Sequence, residues 1–298
     1  MPSGVDLHIH TTASDGRFRP EEIVSRAAGL GLSTIAITDH DTVGGVPGAL
    51  QAANLHPGLR VIPGVELSTD FARAEVHILG YFIDTEHGEF IAGLKRMRHS
   101  RDERARAMIE KLKELGVHIE WTRVKEMAAG GSVGRPHLAR AMLEKGYIDS
   151  FTDAFNGYIE RGGPAYAERE KVTPAEAVGL IRSAGGLAVL AHPLFIDDWQ
   201  QVVVELRGAG LAGIEVYYDG YTAPERERLR IVAEKYGLVA TGGSDFHGID
   251  PATETGLGSA GVPPEVVDRL VALAKPRALP GTIEKRRKLE IRGMLKDE

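Results

Sequence analysis

The stretch VDLHIHTTASDG, residues 5–16, sets two imidazoles two positions apart inside an otherwise apolar run, with Asp15 five residues further on. In a β-strand alternate side chains share a face. Val5, Leu7 and Ile9 are therefore predicted on one side, and Asp6, His8 and His10 on the other. Such a strand delivers two ring nitrogens to one place.

The same rhythm continues outward. Short apolar runs bounded by Gly or Pro recur as STIAITDH (33–40), RVIPGVELS (60–68), EVHILGYF (75–82), GLAVLAHP (186–193), GIEVYY (213–218) and LVATGGSDFH (238–247). Helical spacing separates several of them, as in RPEEIVSRAAGLGL (19–32), where Pro20 suits the first helical position and Gly31 a stop. Alternating strands and helices imply a mostly parallel α/β sheet, and seven strands point to a TIM-like (β/α)7 barrel. Between about 84 and 170 the strand rhythm stops. Residues 89–116 read as one long helix and 134–146 and 150–162 as shorter ones. This divides the chain into a first barrel part (1–83), a helical insert that could form a substrate-binding lid (84–170), and a second barrel part with its tail (171–298). The tail EKRRKLEIRGMLKDE (284–298) reads as a solvated helix or a disordered end.

Composition narrows the function. With 298 residues, 43% of them hydrophobic, and no apolar segment near ~18 residues, the expectation is a soluble chain with a real core. No secretory signal pattern opens it, so the cytoplasm is the expected compartment and no membrane partner is expected. There is no cysteine, so any metal must be held by nitrogen and oxygen. The net charge of −6 argues against stable binding to duplex DNA but leaves small anionic substrates open.

His10, Asp39 with His40, Glu66, His192, and Asp245 with His247 all fall at or just beyond the C-terminal ends of expected strands, where barrel loops converge on one mouth. A single histidine there is ordinarily a hydrogen-bonded structural residue. This many imidazoles and carboxylates in one core would repel or desolvate one another unless cations sat between them. The mixed donor set suits Mn²⁺, Zn²⁺ or Fe²⁺ better than Ca²⁺ or Mg²⁺. Asp39 either orients a ligand histidine or caps the following turn.

The ordered segments DLHIHTTASDG, AITDHDT, GVE, VHILGY, AHP and GSDFHG resemble the motifs of the polymerase and histidinol phosphatase (PHP) family over residues 5 to 260. The resemblance implies a distorted seven-stranded barrel like that of amidohydrolases, with two or three divalent metals per chain. Carried over by position, it implies one metal on His8, His10, Glu66 and Asp245, a second on Asp15, His40 and His247, and a third on Glu66, His77 and His192. The insert with GRPHLA is similar to that of nucleoside 3′,5′-bisphosphate phosphatases and 5′–3′ RNA exonucleases, which favours manganese over zinc or iron. The implied activity is metal-dependent hydrolysis of the 3′-phosphate of a nucleoside 3′,5′-bisphosphate, extending to short single-stranded RNA or DNA, with a cation-acidified water attacking phosphorus in line. The alternatives are a histidinol-phosphate phosphatase and a non-catalytic metal-binding module supporting a nucleic-acid enzyme.

Catalytic roles fall on His192, Asp245 and His247. The latter two act as ligands first, and His192 is the candidate donor of a proton to the leaving alkoxide. A second phosphate needs cations. Pro136 suits the first turn of a helix, which places Arg135 at its start and His137 just inside, an arrangement that favours an anionic ligand. The alternative is a surface arginine and a solvated histidine. On the long helix, Leu94, Met97, Ala105, Met108, Leu112 and Leu115 form an apolar stripe on which Arg101 and Arg104 also fall. Six basic and two acidic residues lie between 93 and 106. These arginines either face the substrate or pair with nearby acids on a solvated face.

Overall fold

The computed structural model describes residues 4–71, 74–249 and 256–274. The tail singled out above lies outside them. Seven strands, β1 (Val5–Asp6), β2 (Thr34–Ile37), β3 (Arg60–Phe71), β4 (Ala74–Tyr81), β5 (Leu187–Leu190), β6 (Gly213–Tyr218) and β7 (Val239–Gly243), lie side by side in chain order. The first and last edges meet through Leu7 N–H to the Gly242 carbonyl (3.2 Å) and His10 N–H to the Phe246 carbonyl (2.9 Å), so the sheet is nearly closed into a barrel. The approach is close. A Cβ on Gly243 would lie 2.4 Å from the His8 backbone nitrogen, so only glycine fits there.

Two expectations are corrected in detail. β4 runs antiparallel to both β3 and β5, whereas the other neighbours are parallel. The physical reason is length: Phe71 pairs directly with Ala74, and a link that short makes a hairpin, not a crossover. The strand expected over 5–10 is regular only at Val5–Asp6. Val5 and Leu7 join a cluster with Ile62, Leu79, Val189 and Leu270, whereas Ile9 joins another with Ile23, Ile35 and Val46. The chain thus changes sides after Leu7. Asp6 makes no contact with the histidine rings and accepts from Ser244 N–H (2.9 Å), Ser244 Oγ (2.6 Å), Gly258 N–H (2.8 Å) and the His8 backbone N–H (3.3 Å).

Helices α1 (Pro20–Gly29) and α2 (Val46–Ala53) flank the first strands. Between β4 and β5 run α3 (Gly88–Glu114), α4 (Trp121–Met127), α5 (Arg135–Glu144) and α6 (Phe151–Ala154), then α7 (Pro174–Ser183); α8 (Trp199–Ala209), α9 (Ala223–Tyr236) and α10 (Glu265–Leu273) follow. The stripe on α3 serves two cores. Phe90, Leu94 and Met97 pack into the cluster around β3, β4 and α7, while Ala105, Met108 and Leu112 belong to a cluster built from residues 105–167. Leu115, placed on that stripe by spacing, is 46% exposed, because the helix has ended at Glu114. The junction of the two cores carries the buried polar residues Ser100, Arg101 and Arg104. Among the described residues no helix is long and apolar enough to cross a membrane.

Candidate metal centre

Six histidines gather around one carboxylate and its neighbours. Glu66 lies on β3 among alternating residues whose opposite face, Val65 and Leu67, is core. Its oxygens stand 3.3 Å from His8 Nε2, 3.2 Å from His10 Nε2, 2.9 Å from both His40 Nδ1 and His77 Nδ1, and 3.1 Å from His192 Nε2. Asp245 Oδ1 lies 3.3 Å from His8 Nε2 and 3.1 Å from His10 Nε2. Asp15 faces His247 Nε2 at 3.5 Å and His40 Nε2 at 3.8 Å. All nine side chains named for metal binding thus converge on one mouth.

Their donor atoms form three overlapping groups, each within 4.8 Å: His8, His10, Glu66 and Asp245; His10, Asp15, His40 and His247; and His40, Glu66 and His77. The second gains His10 relative to the expected set. In the third, His40 takes the place expected for His192, which reaches Glu66 from the rim. The test of fit is the hydrogen-bond count. Buried N and O atoms are almost always paired, yet His8 Nε2, His10 Nε2, His40 Nδ1, His77 Nε2, Asp15 Oδ1 and Glu66 Oε2 have no hydrogen-bond partner. These six, of the eight such atoms among the described residues, sit on residues of the three groups; the other two are the Tyr81 hydroxyl and Ser132 Oγ. Imidazoles and carboxylates in this arrangement fit divalent cations.

Electrostatics agree. Burial alone would lower the rings, but Asp245 and Glu66 lift His10 to about 10, and the charge and hydrogen bond of Glu66, with Glu75, lift His77 to about 9. For His40 burial wins and holds it near 4. Burial raises Glu66, but His40, His77 and His8 hold it well below the usual carboxylate range. The carboxylates draw protons onto rings that cations would otherwise occupy.

Backbone and supporting contacts fix the donors. His192 (φ 25°), Asp245 (φ 54°) and Asp41 (φ 52°) occupy the left-handed region, unusual for non-glycine residues and frequent at functional sites. Glu215 Oε1 lies 3.1 Å from His8 Nδ1, and its Oε2 accepts from His192 N–H at 2.8 Å. Asp39 accepts from Thr11 N–H (2.7 Å), Thr11 Oγ1 (2.8 Å) and Ser14 Oγ (2.7 Å), so it shapes the 11–15 turn rather than touching a ligand ring directly. Tyr218 donates to Asp245 Oδ2 at 3.2 Å.

Arginines border the His77 side. Glu75 accepts from Arg135 Nη2 at 2.6 Å, lies 3.4 Å from Arg169 Nη2 and 3.9 Å from Arg104 Nη1, and is 3.7 Å from His77 Nε2. Burial, with Arg101 beside it, pulls Arg104 down to about 9. Arg101 is engaged on three sides by protein acceptors: Asp41 Oδ2, Ser68 Oγ and the Val133 carbonyl. His137 Nδ1 accepts from Gly134 N–H at 3.0 Å, which holds the start of α5. Glu75, Asp41, Arg169 and Glu215 escaped the sequence reading. Only Glu215 left a signal there, as a carboxylate inside the apolar strand GIEVYY.

A nearly closed barrel of seven strands, with imidazoles and carboxylates gathered at its mouth, defines the class to which the chain should be compared. The PHP domain family matches residues 6–161, and the chain belongs to that family. It is 34% identical over 82% of its length to the 3′,5′-nucleoside bisphosphate phosphatase of Chromobacterium violaceum, covering 87% of that protein. It is 36% identical over 84% of its length to the 5′–3′ exoribonuclease Rnm of Salmonella typhimurium, again covering 87%. A solved structure from Bifidobacterium adolescentis, described as a metal-dependent phosphoesterase, superposes with a TM-score of 0.83 at 29% identity over 93% of this chain and 99% of that one.

Proposed function

We propose that this chain removes the 3′-phosphate from nucleoside 3′,5′-bisphosphates and, where that 3′-phosphate is also esterified to a further nucleotide, trims short single-stranded RNA or DNA from the 5′ end. One juxtaposition supports the reading: a donor nest centred on Glu66 lies beside three arginines gathered on Glu75, with His77 touching both carboxylates. A substrate with two phosphates matches both halves, and its second phosphate is what histidinol phosphate lacks.

The residues divide the work. His8, His10, Glu66 and Asp245 would hold one cation, Asp15, His40 and His247 a second, and His77 with Glu66 a third, while His192 stays free of them at the rim. Mn²⁺ is the preferred ion, with Zn²⁺ and Fe²⁺ as the alternatives for this donor set. When bound, such ions neutralise the non-bridging phosphate oxygens and bring the pKa of a water towards about 7. Arg135 and Arg104, both within the segment 84–170 read as the helical insert, take the non-reacting phosphate in exchange for Glu75. Arg101 and His137 position them, the first by fixing α3 and the second by fixing the start of α5. His192 Nε2, hydrogen-bonded to Glu66 Oε1 at 3.1 Å, holds the proton destined for the leaving 3′ oxygen.

The test is phosphate release from adenosine 3′,5′-bisphosphate, adenosine monophosphates and histidinol phosphate, each with Mn²⁺, Zn²⁺ or Fe²⁺. Preference for the bisphosphate is expected. Absence of turnover with every ion and ester would reject the enzyme reading.

A further inference from the structure

The mouth leads two ways. From His77 it leads to the arginines, and from His192 it leads to a set of aromatic rings that the scheme above leaves unused. The His77 and His192 rings are 5.1 Å apart, and Phe195 lies 5.5 Å beyond His192. Phe195 meets Tyr218 edge-on at 5.7 Å and Tyr221 at 6.2 Å, and the two tyrosines are 5.0 Å apart. Although it belongs to this packed set, Phe195 is 67% exposed. Isolated exposed apolar residues need no explanation, but an exposed ring backed by three others at the lip of a polar site does.

The ring is held there. Residues Pro193–Phe195 form a single 3₁₀ turn directly after the left-handed His192, closed by Phe195 N–H to the His192 carbonyl at 3.2 Å. Leu194 N–H donates to the Tyr221 hydroxyl at 3.0 Å, and Tyr218 is anchored through its hydroxyl to Asp245. Edge contacts with the tyrosines and a tilted contact with His192 leave ring surface of Phe195 open to solvent. Every base has a π-face, and stacking on an aromatic side chain tolerates all four.

We propose that Phe195, supported by Tyr218 and Tyr221, is the stacking platform for the nucleobase of the substrate. This rests on the phosphoesterase reading above and adds the order in which the substrate lies: base on Phe195, reacting phosphate over the Glu66 nest, second phosphate at Arg135 and Arg104. It makes the protein selective for nucleotides over sugar phosphates while leaving it indifferent to which base is present.

The full-length protein with Mn²⁺ is assayed on adenosine 3′,5′-bisphosphate and on the same ribose bisphosphate without a base. The wild type should prefer the nucleotide. Phe195→Ala and Phe195→Leu should cut that preference, as a ratio of kcat/KM values, by roughly 5- to 150-fold, whereas Phe195→Tyr should keep it. An unchanged ratio in both the Ala and Leu variants would overturn the proposal. Binding of 2-aminopurine riboside 3′,5′-bisphosphate provides a reading independent of turnover: stacking quenches its fluorescence in the wild type, and the quench should vanish in Phe195→Ala. If no ester is cleaved by any variant, the phosphoesterase reading fails and the quench alone decides. Its loss in Phe195→Ala then supports the platform, and its persistence there refutes it.

Discussion

Replacing Asp41 by Asn removes one charge from a pair that is out of contact with water on both sides. Asp41 is fully buried and Arg101 is 4% exposed. The carboxylate also accepts from Ser68 N–H at 2.9 Å, so it ties the turn after β2 to β3 and to α3 at once. Asn preserves the shape and one acceptor. The guanidinium is left without its counter-charge, which for a buried pair costs about 3–5 kcal/mol. For a chain of 298 residues that corresponds to a fall in Tm of about 5–8 °C. Thermal unfolding by circular dichroism measures it directly. Adding Arg101→Met should restore at least half of the loss, because the uncompensated charge is then gone. Acid sensitivity provides a second reading. Burial raises the Asp41 carboxyl, but Arg101 and Arg169 outweigh it and hold the pKa below the usual 3.8. The pair's contribution is therefore complete above the unfolded value and lost as pH falls through the lower folded one. The Asn variant should lack this part of the acid transition. A Tm shift below about 2 °C for Asp41→Asn, or no recovery in the double variant, would show that the pair does not join α3 to the barrel.

Glu66→Gln removes the charge shared by the donor groups, so metal content by elemental analysis should fall, and activity should drop by more than the roughly 10–100-fold that follows loss of a supporting hydrogen bond; an unchanged metal content would contradict its role as a ligand. Arg135→Ala should raise KM for a bisphosphate by about 10- to 150-fold, the worth of one hydrogen bond to a charged group, with a much smaller effect on a monophosphate; equal effects on both would place Arg135 outside the second phosphate site. Because His10 stands near 10 and His77 near 9 before ions enter, Mn²⁺ binding at pH 7.5 should expel protons and weaken as pH falls; calorimetry in buffers of different ionisation enthalpy counts the protons, and a count of zero would refute the assignment of those rings as ligands.

Most donors were legible because they stand where a strand ends, and a strand end in an α/β barrel points to one mouth; Glu66, expected at such an end, lies instead inside β3, and His77 inside β4. VDLHIH, STIAITDH and LVATGGSDFH announce both the strand and its cargo. The helical stripe on α3 was legible too, and so was the anomaly of arginines lying on it. What answered those arginines was not. Asp41 lies 60 residues from Arg101, and Glu75 lies 60 from Arg135, so nothing in local spacing connects them. Spacing alone also cannot distinguish a phosphate site from an internal ion pair, since an arginine facing an anion reads the same in either case. The reversal of β4 was hidden for another reason: apolar alternation carries no direction, and only the short link from Phe71 to Ala74 determines it.

That reversed strand has a consequence for how this protein can change. Glu66 and His77 come from one hairpin whose eight rungs run from Gly64 opposite Tyr81 to Phe71 opposite Ala74. Slipping one arm by a single residue turns its side chains to the other face of the sheet, which would offer the apolar Val76 or Ile78 to the mouth where an imidazole now stands. Insertions and deletions between positions 66 and 77 should accordingly survive only in pairs or at the tip, whereas the helices from 88 onward can lengthen or shorten without moving either residue.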